Sequence, residues 1–108
     1  MKLIFSIVHD DDSYTVIEEL NNSGYYVTKL CSTGSFLRTG NTTLLIGIND
    51  EELEPVLEII KANSKRRTQY VQTTTHGALP GIFATVGTEV SVGGSTIFVI
   101  NVEKMEKF

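Results

Sequence analysis

The segment LIFSIV (residues 3–8) is almost continuously apolar, and TIFVI (96–100) repeats the pattern near the other end of the chain. A strand with one face in water alternates apolar and polar side chains, so a sheet built from these runs has both faces covered. Only two segments carry helical periodicity, and two helices cover one face of a sheet. The second face is then an apolar patch of the kind that marks an association site. A closed homo-oligomer is the expectation.

The elements come in an order that supports a sheet of that type. After the first run, HDDDSYTVIEELNNSG places acids at a helix start and Val16, Ile17 and Leu20 at helical spacing, predicting a helix over about 12–22 with Asp10 to Asp12 and Ser13 as capping material. YYVTKLC and TTLLIGI (42–48) read as the second and third strands. In NDEELEPVLEIIKANSK the residues Leu53, Val56, Leu57 and Ile60 form a second apolar stripe, and Pro55 must lie in its first turn, so the regular helix starts nearer Glu52 than Asp50. RTQYVQTTT is a more polar fourth strand. Residues 75–87, with Gly77, Pro80, Gly81 and Gly87, show no periodicity and read as a long loop. Two β runs around Gly93-Gly94 predict a tight hairpin with positive φ at both turn positions. The order is that of a ferredoxin-like βαββαβ α+β sandwich with an added C-terminal hairpin, in one domain over 1–108.

Charge and cysteine content narrow the function. Thirteen acids against nine bases give a net charge of −4, whereas a nucleic-acid coat is basic, and the RNP-type aromatic pattern of an RNA-binding sheet is absent. The single Cys31 forms no internal disulfide, and the first residues are too short an apolar run for a membrane span; a reducing, cytoplasmic setting is expected. Neither GxxxxGK[ST] nor GxGxxG occurs. Cys31 on a strand reads as a small buried hydrophobe, not a nucleophile, and the glutamates of the helices lie opposite their apolar stripes. No enzyme is indicated. His9 with Asp10 to Asp12 offers oxygen ligands for a hard cation, though a helix start accounts for the same residues. Lys65-Arg66-Arg67 suits the negative end of the second helix, or else an anion or partner contact.

The stretch TKLCSTGSFLRTGNTT (28–43) sets Phe36-Leu37-Arg38 among glycines and hydroxyl residues. Phe36 either plugs a neighbouring subunit or stacks on a planar base, a contact worth roughly 1 to 3 kcal/mol. Gly34, Gly40 and Asn41 would let backbone N–H groups and an amide approach base edges and phosphate oxygens. Such a group of residues binds a nucleotide without cutting it.

With its continuation LLIGIND, this stretch resembles the signature of the PII-like cyclic-di-AMP receptors (the DarA/PstA family) of Gram-positive bacteria, approximately TKLASTGGFLRAGNTT. MKLIFSIV, EVSVGGSTIFVINV and the terminal Phe108 match as well, so the similarity spans the chain. The resemblance implies a cytoplasmic PII-like signal-transduction homotrimer that binds cyclic-di-AMP or a related adenine nucleotide between subunits, without cofactor, metal, nucleic-acid polymer or membrane. It implies that Phe36 and Leu37 pack on an adenine, Asn41 bonds its edge, Gly47 gives backbone contacts, Thr28 holds phosphate or ribose, and Phe98 lies near the site. The loop 75–87 would order on binding and present a changed surface to a downstream protein.

Two positions depart from the family pattern. Tyr26 stands where an arginine is usual; alternation puts it on the face of Thr28, where it would contact the ligand in the arginine's place. Ser35 replaces the second glycine. The rival readings are a trimeric metal-handling or interaction protein of this fold that has lost the ligand, and a hydrolase of the acylphosphatase type. The latter needs an arginine-bearing phosphate loop near the N-terminus, which is missing here.

Overall fold

The computed structural model describes residues 1–30, 40–76 and 83–108, with 69–76 and 83–90 described by their backbone. In chain order these form β1 (Lys2–His9), α1 (Asp10–Asn22), β2 (Thr28–Leu30), β3 (Asn41–Ile48), a 3-10 turn (Asp50–Glu52), α2 (Leu53–Asn63), β4 (Arg67–His76), β5 (Phe83–Val92) and β6 (Ser95–Asn101). Four strands make an antiparallel sheet in the order β2-β3-β1-β6, and β4 pairs with β5 in a separate ribbon.

Two-residue periodicity decides which side chains the helices cover. Ile4, Ser6 and Val8 of β1 are buried and pair with Ile46, Leu44 and Thr42 of β3, so even-numbered residues of both strands face one way. Val16 and Leu20 of α1, and Val56 and Ile60 of α2, close over them at i, i+4 spacing. Leu3, Phe5 and Ile7 alternate to the helix-free face, where they are half-buried. The two-sided apolar character of β1 is thus real, and its second face carries no helix.

The start of α1 differs from the sequence expectation, whereas its end at Asn22, closed by Gly24, agrees with it. The helix begins at Asp10, and His9 is the N-cap: its Nδ1 accepts from the Asp11 N–H at 3.3 Å. Asp10 is otherwise engaged, its N–H donating to Gly40 O at 2.8 Å and its carboxylate accepting from the Thr42 hydroxyl at 2.5 Å. At the far end Gly24 takes φ +87°, its N–H donates to Asn21 O, and the Tyr25 N–H donates to Leu20 O at 2.9 Å. This is a Schellman closure. It uses the Tyr25 N–H and packs that ring on the core, so β2 starts only at Thr28. Pro55 sits at the third residue of α2, in the first turn, where no intrahelical acceptor exists for its missing N–H.

The C-terminal third needs the larger correction. RTQYVQTTT is not the fourth strand of the sandwich; β6 fills that place on the free edge of β1. β4 pairs with β5 instead, and residues 75–76 and 83–87 of the expected loop are strand, β4 reaching His76 and β5 beginning at Phe83, while 77–82 lie outside the described residues. A ribbon that pairs only with itself has no helix-covered side to impose alternation. The chain accordingly extends 65 × 27 × 19 Å, with a radius of gyration of 18.5 Å where a compact chain of this length has about 13 Å.

Gly93 and Gly94 do have positive φ, +86° and +83°, but they join two strands that do not pair with each other. The Gly94 N–H donates to Ser64 O at 2.5 Å, tying the bend to the end of α2. A Cβ on Gly93 would lie 2.5 Å from Lys65 O, closer than real contacts allow. Glycine is needed there for space as well as for φ.

Candidate functional site

Strand register brings most of the described ligand-contact candidates to the helix-free face. Thr28, Leu45, Phe5 and Phe98 form one row across all four strands, and Gly47, Leu3 and Ile100 form the next. Phe98 is 52% exposed and Ile100 47%, so this face is apolar and open in the single chain. Gly47 lies between β2 and β1 with open space over its backbone: the nearest atom to a Cβ there would be Met1 Cε at 3.9 Å. Tyr26 precedes β2, so strand alternation does not reach it, and it is 91% exposed. Ser35, Phe36 and Leu37 lie outside the described residues.

One residue-pair further along β1, the same face runs into a polar cleft of about 480 Å³. Its floor is Ile7 with its cross-strand neighbour Thr96; Asn41 enters from the start of β3, and Arg66, Gly93 and Gly94 close it from the base of the ribbon. Thr43, opposite Ile7 on β3, is 7% exposed, and its hydroxyl has no partner among the described residues. A buried unpaired hydroxyl costs of order 1 kcal/mol or more unless something outside the protomer satisfies it.

The three cations beside the cleft are not equivalent. Arg67 makes a bidentate pair with Asp12, Nη2 to Oδ1 at 2.9 Å and Nη1 to Oδ2 at 3.1 Å, and also donates to Lys65 O. The hydrogen bond to Asp12 pushes the guanidinium above its ordinary pKa, against the opposing effect of burial. This pair clamps the ribbon's first residue to the first turn of α1. Asp12→Ala is expected to lower stability modestly, since the Arg67 side of the pair is screened by water. Urea unfolding gives the loss, and amide exchange at Gly94 should speed up; unchanged exchange there would refute the clamp. Arg66, in contrast, is exposed and has no hydrogen bond or ion pair among the described residues.

The aspartates after His9 are engaged in capping, in the Thr42 contact and in the Arg67 clamp. Among the described residues no group of three or more His, Cys, Asp or Glu side chains could hold a metal ion. Among them, too, no helix is long and apolar enough to cross a membrane.

The profile of the cyclic-di-AMP receptors matches residues 1–108. The chain belongs to the cyclic-di-AMP receptor family. That family is PII-like in its relationships: the chain is 32% identical over 77 residues to the "Nitrogen fixation nifHD region GlnB-like protein 1" of Methanothermococcus thermolithotrophicus, across 59% of this chain and 73% of that one. A protein of unknown function from Pediococcus pentosaceus ATCC 25745, known from its crystal structure, is 36% identical with a TM-score of 0.75, over 99% of this chain and 96% of that one. Cyclic-di-AMP receptors are signalling binders, and a nucleotide is their ligand, not a cofactor.

Of the candidates drawn from the sequence, Thr28, Asn41, Gly47 and Phe98 lie on the helix-free face, and Arg66, named there within the basic trio, lines the cleft; Ile7, Ser95 and Thr96 of its lining were not among them. Ile7 and Thr96 carry only strand character, so no local signal marks them. Arg66 was visible in the basic trio, yet nothing in the sequence separates it from Arg67, which the Asp12 clamp consumes.

Proposed function

We propose that the chain is a single signal-receptor domain over 1–108 that assembles as a cytoplasmic homotrimer and binds cyclic-di-AMP, or a related adenine nucleotide, at the seams between subunits. The family match carries the reading, and the gathering of Thr28, Asn41, Gly47 and Phe98 on one open sheet face supports it. In this reading Phe36 and Leu37 pack on an adenine, Asn41 bonds its edge, Ser35 and Gly47 admit the ligand to backbone, and Thr28 holds phosphate or ribose. Tyr26 hydrogen-bonds or stacks at the rim. Occupancy is relayed through the β4–β5 ribbon to a downstream protein, with no chemistry on the ligand.

Calorimetric titration with cyclic-di-AMP, ATP and AMP tests this directly. Binding of at least one is expected, cyclic-di-AMP tightest, and Phe36→Ala should weaken it about 5- to 150-fold through the lost stacking. Absence of heat with all three would reject the nucleotide reading and leave an interaction protein that has lost its ligand. Wild-type affinity in Phe36→Ala would reject the stacking role alone.

A further inference from the structure

We infer that Arg66 is the phosphate anchor of this receptor, and that the cleft it shares with Asn41, Gly94 and Thr96 is where a phosphodiester of the bound nucleotide lies. The inference deepens the nucleotide reading proposed above and rests on it.

The charge balance favours such a group. A cyclic dinucleotide brings two negative charges to a chain whose net charge is −4, so a cation facing it locally strengthens binding. Among the described residues Arg66 is the one cationic residue lining the cleft. Arg67 is held by Asp12, while Arg66 has no ion pair among the described residues and keeps all its N–H donors available. A guanidinium presents a planar fork that matches two phosphate oxygens, which a lysine does not.

The cleft also suits a phosphate in polarity and placement. Thr96, Ser95 and Asn41 contribute hydroxyl and amide groups, and the two glycines keep side chains off its wall. On the adjoining edge, the Thr43 hydroxyl is buried without a partner among the described residues. Ile7 and Phe5 are neighbours on one face of β1, about 7 Å apart along the strand, so a dinucleotide with its base on the Phe98 row reaches the cleft with its backbone. The position of Arg66 next to the clamp residue Arg67 further means that a ligand gripped there pulls on the base of the ribbon.

The test is titration of cyclic-di-AMP into wild type, Arg66→Gln and Lys65→Gln, with the mass of each particle measured alongside. Arg66→Gln should weaken binding roughly 10- to 150-fold, flatten the dependence of affinity on salt, and leave particle mass unchanged. Lys65→Gln should bind within about twofold of wild type, as a solvated charge does. If Arg66→Gln matches wild type in affinity or salt dependence, the anchor assignment is wrong while the nucleotide reading stands. If it changes particle mass, Arg66 is a subunit contact and the assignment is likewise overturned. If wild type binds no adenine nucleotide, both fall, an outcome distinct from the first two.

Discussion

Phe98→Asp is expected to turn a particle of about 36 kDa, three times the 11.9 kDa chain, into single chains. The helix-free face presents Leu3, Phe5, Leu45, Phe98 and Ile100 as one apolar surface, and Phe98 at 52% exposure stands out from it. In a lone protomer an aspartate at that position remains in water. In the proposed assembly it would be desolvated three times over, at several kcal/mol each. The variant should therefore keep its far-UV circular dichroism, lose its oligomeric state in light scattering, and lose cyclic-di-AMP binding with it, because the site is incomplete in one chain. Tyr14→Asp is the matched control: Tyr14 is 74% exposed on α1, away from the open face, and the mass should not change. A wild-type mass of 11.9 kDa, or a Phe98→Asp particle that stays trimeric, would remove the seam from the account.

That face illustrates what the sequence can and cannot carry. LIFSIV and TIFVI announce a sheet with apolar side chains on both faces, because nearly continuous apolarity leaves no polar side, and β1 and β6 do carry them on the helix-free face as well. The helix stripes Val16, Leu20 and Val56, Ile60 were equally legible, since each pairs with the single periodicity of its own segment. The partner of β6 was not. Gly93-Gly94 states that the chain bends with positive φ, which it does, but local turn chemistry does not say whether the strands on either side pair with each other. Here Ser64 O takes the Gly94 N–H, and β1 offers a free edge to β6, so the bend becomes a crossing between ribbon and sheet. Position 26 lies outside the strand for a related reason. Alternation holds only inside a strand, and the Schellman closure at Gly24 and Tyr25 delays β2 by three residues beyond where YYVTKLC suggests. The motif itself contains the candidates Asn41 and Gly47, so the sequence alone could name them. It could not separate Arg66 from Arg67, because Arg67 is engaged by a residue 55 positions away.

Ile46→Ala should cost about 2 to 5 kcal/mol of unfolding free energy, a large share of the roughly 5 to 15 kcal/mol a domain has in reserve. Ile46 is fully buried, pairs with Ile4 in the middle of β3, and faces both helices, so truncation leaves a cavity under Val16, Leu20, Val56 and Ile60 that the sheet backbone cannot close. Its neighbour Leu45 is the informative comparison, being one residue away and on the opposite face. Measured in the Phe98→Asp background, where each chain stands alone, Leu45→Ala should cost only about 1 kcal/mol, since the half-buried side chain loses little contact there. In the wild-type background the Leu45→Ala penalty should rise to core-like size, whereas the Ile46→Ala difference between backgrounds should be small. That pattern in urea midpoints would show the second face to be a core completed by other subunits. Equal Leu45 penalties in both backgrounds would mean that nothing covers it.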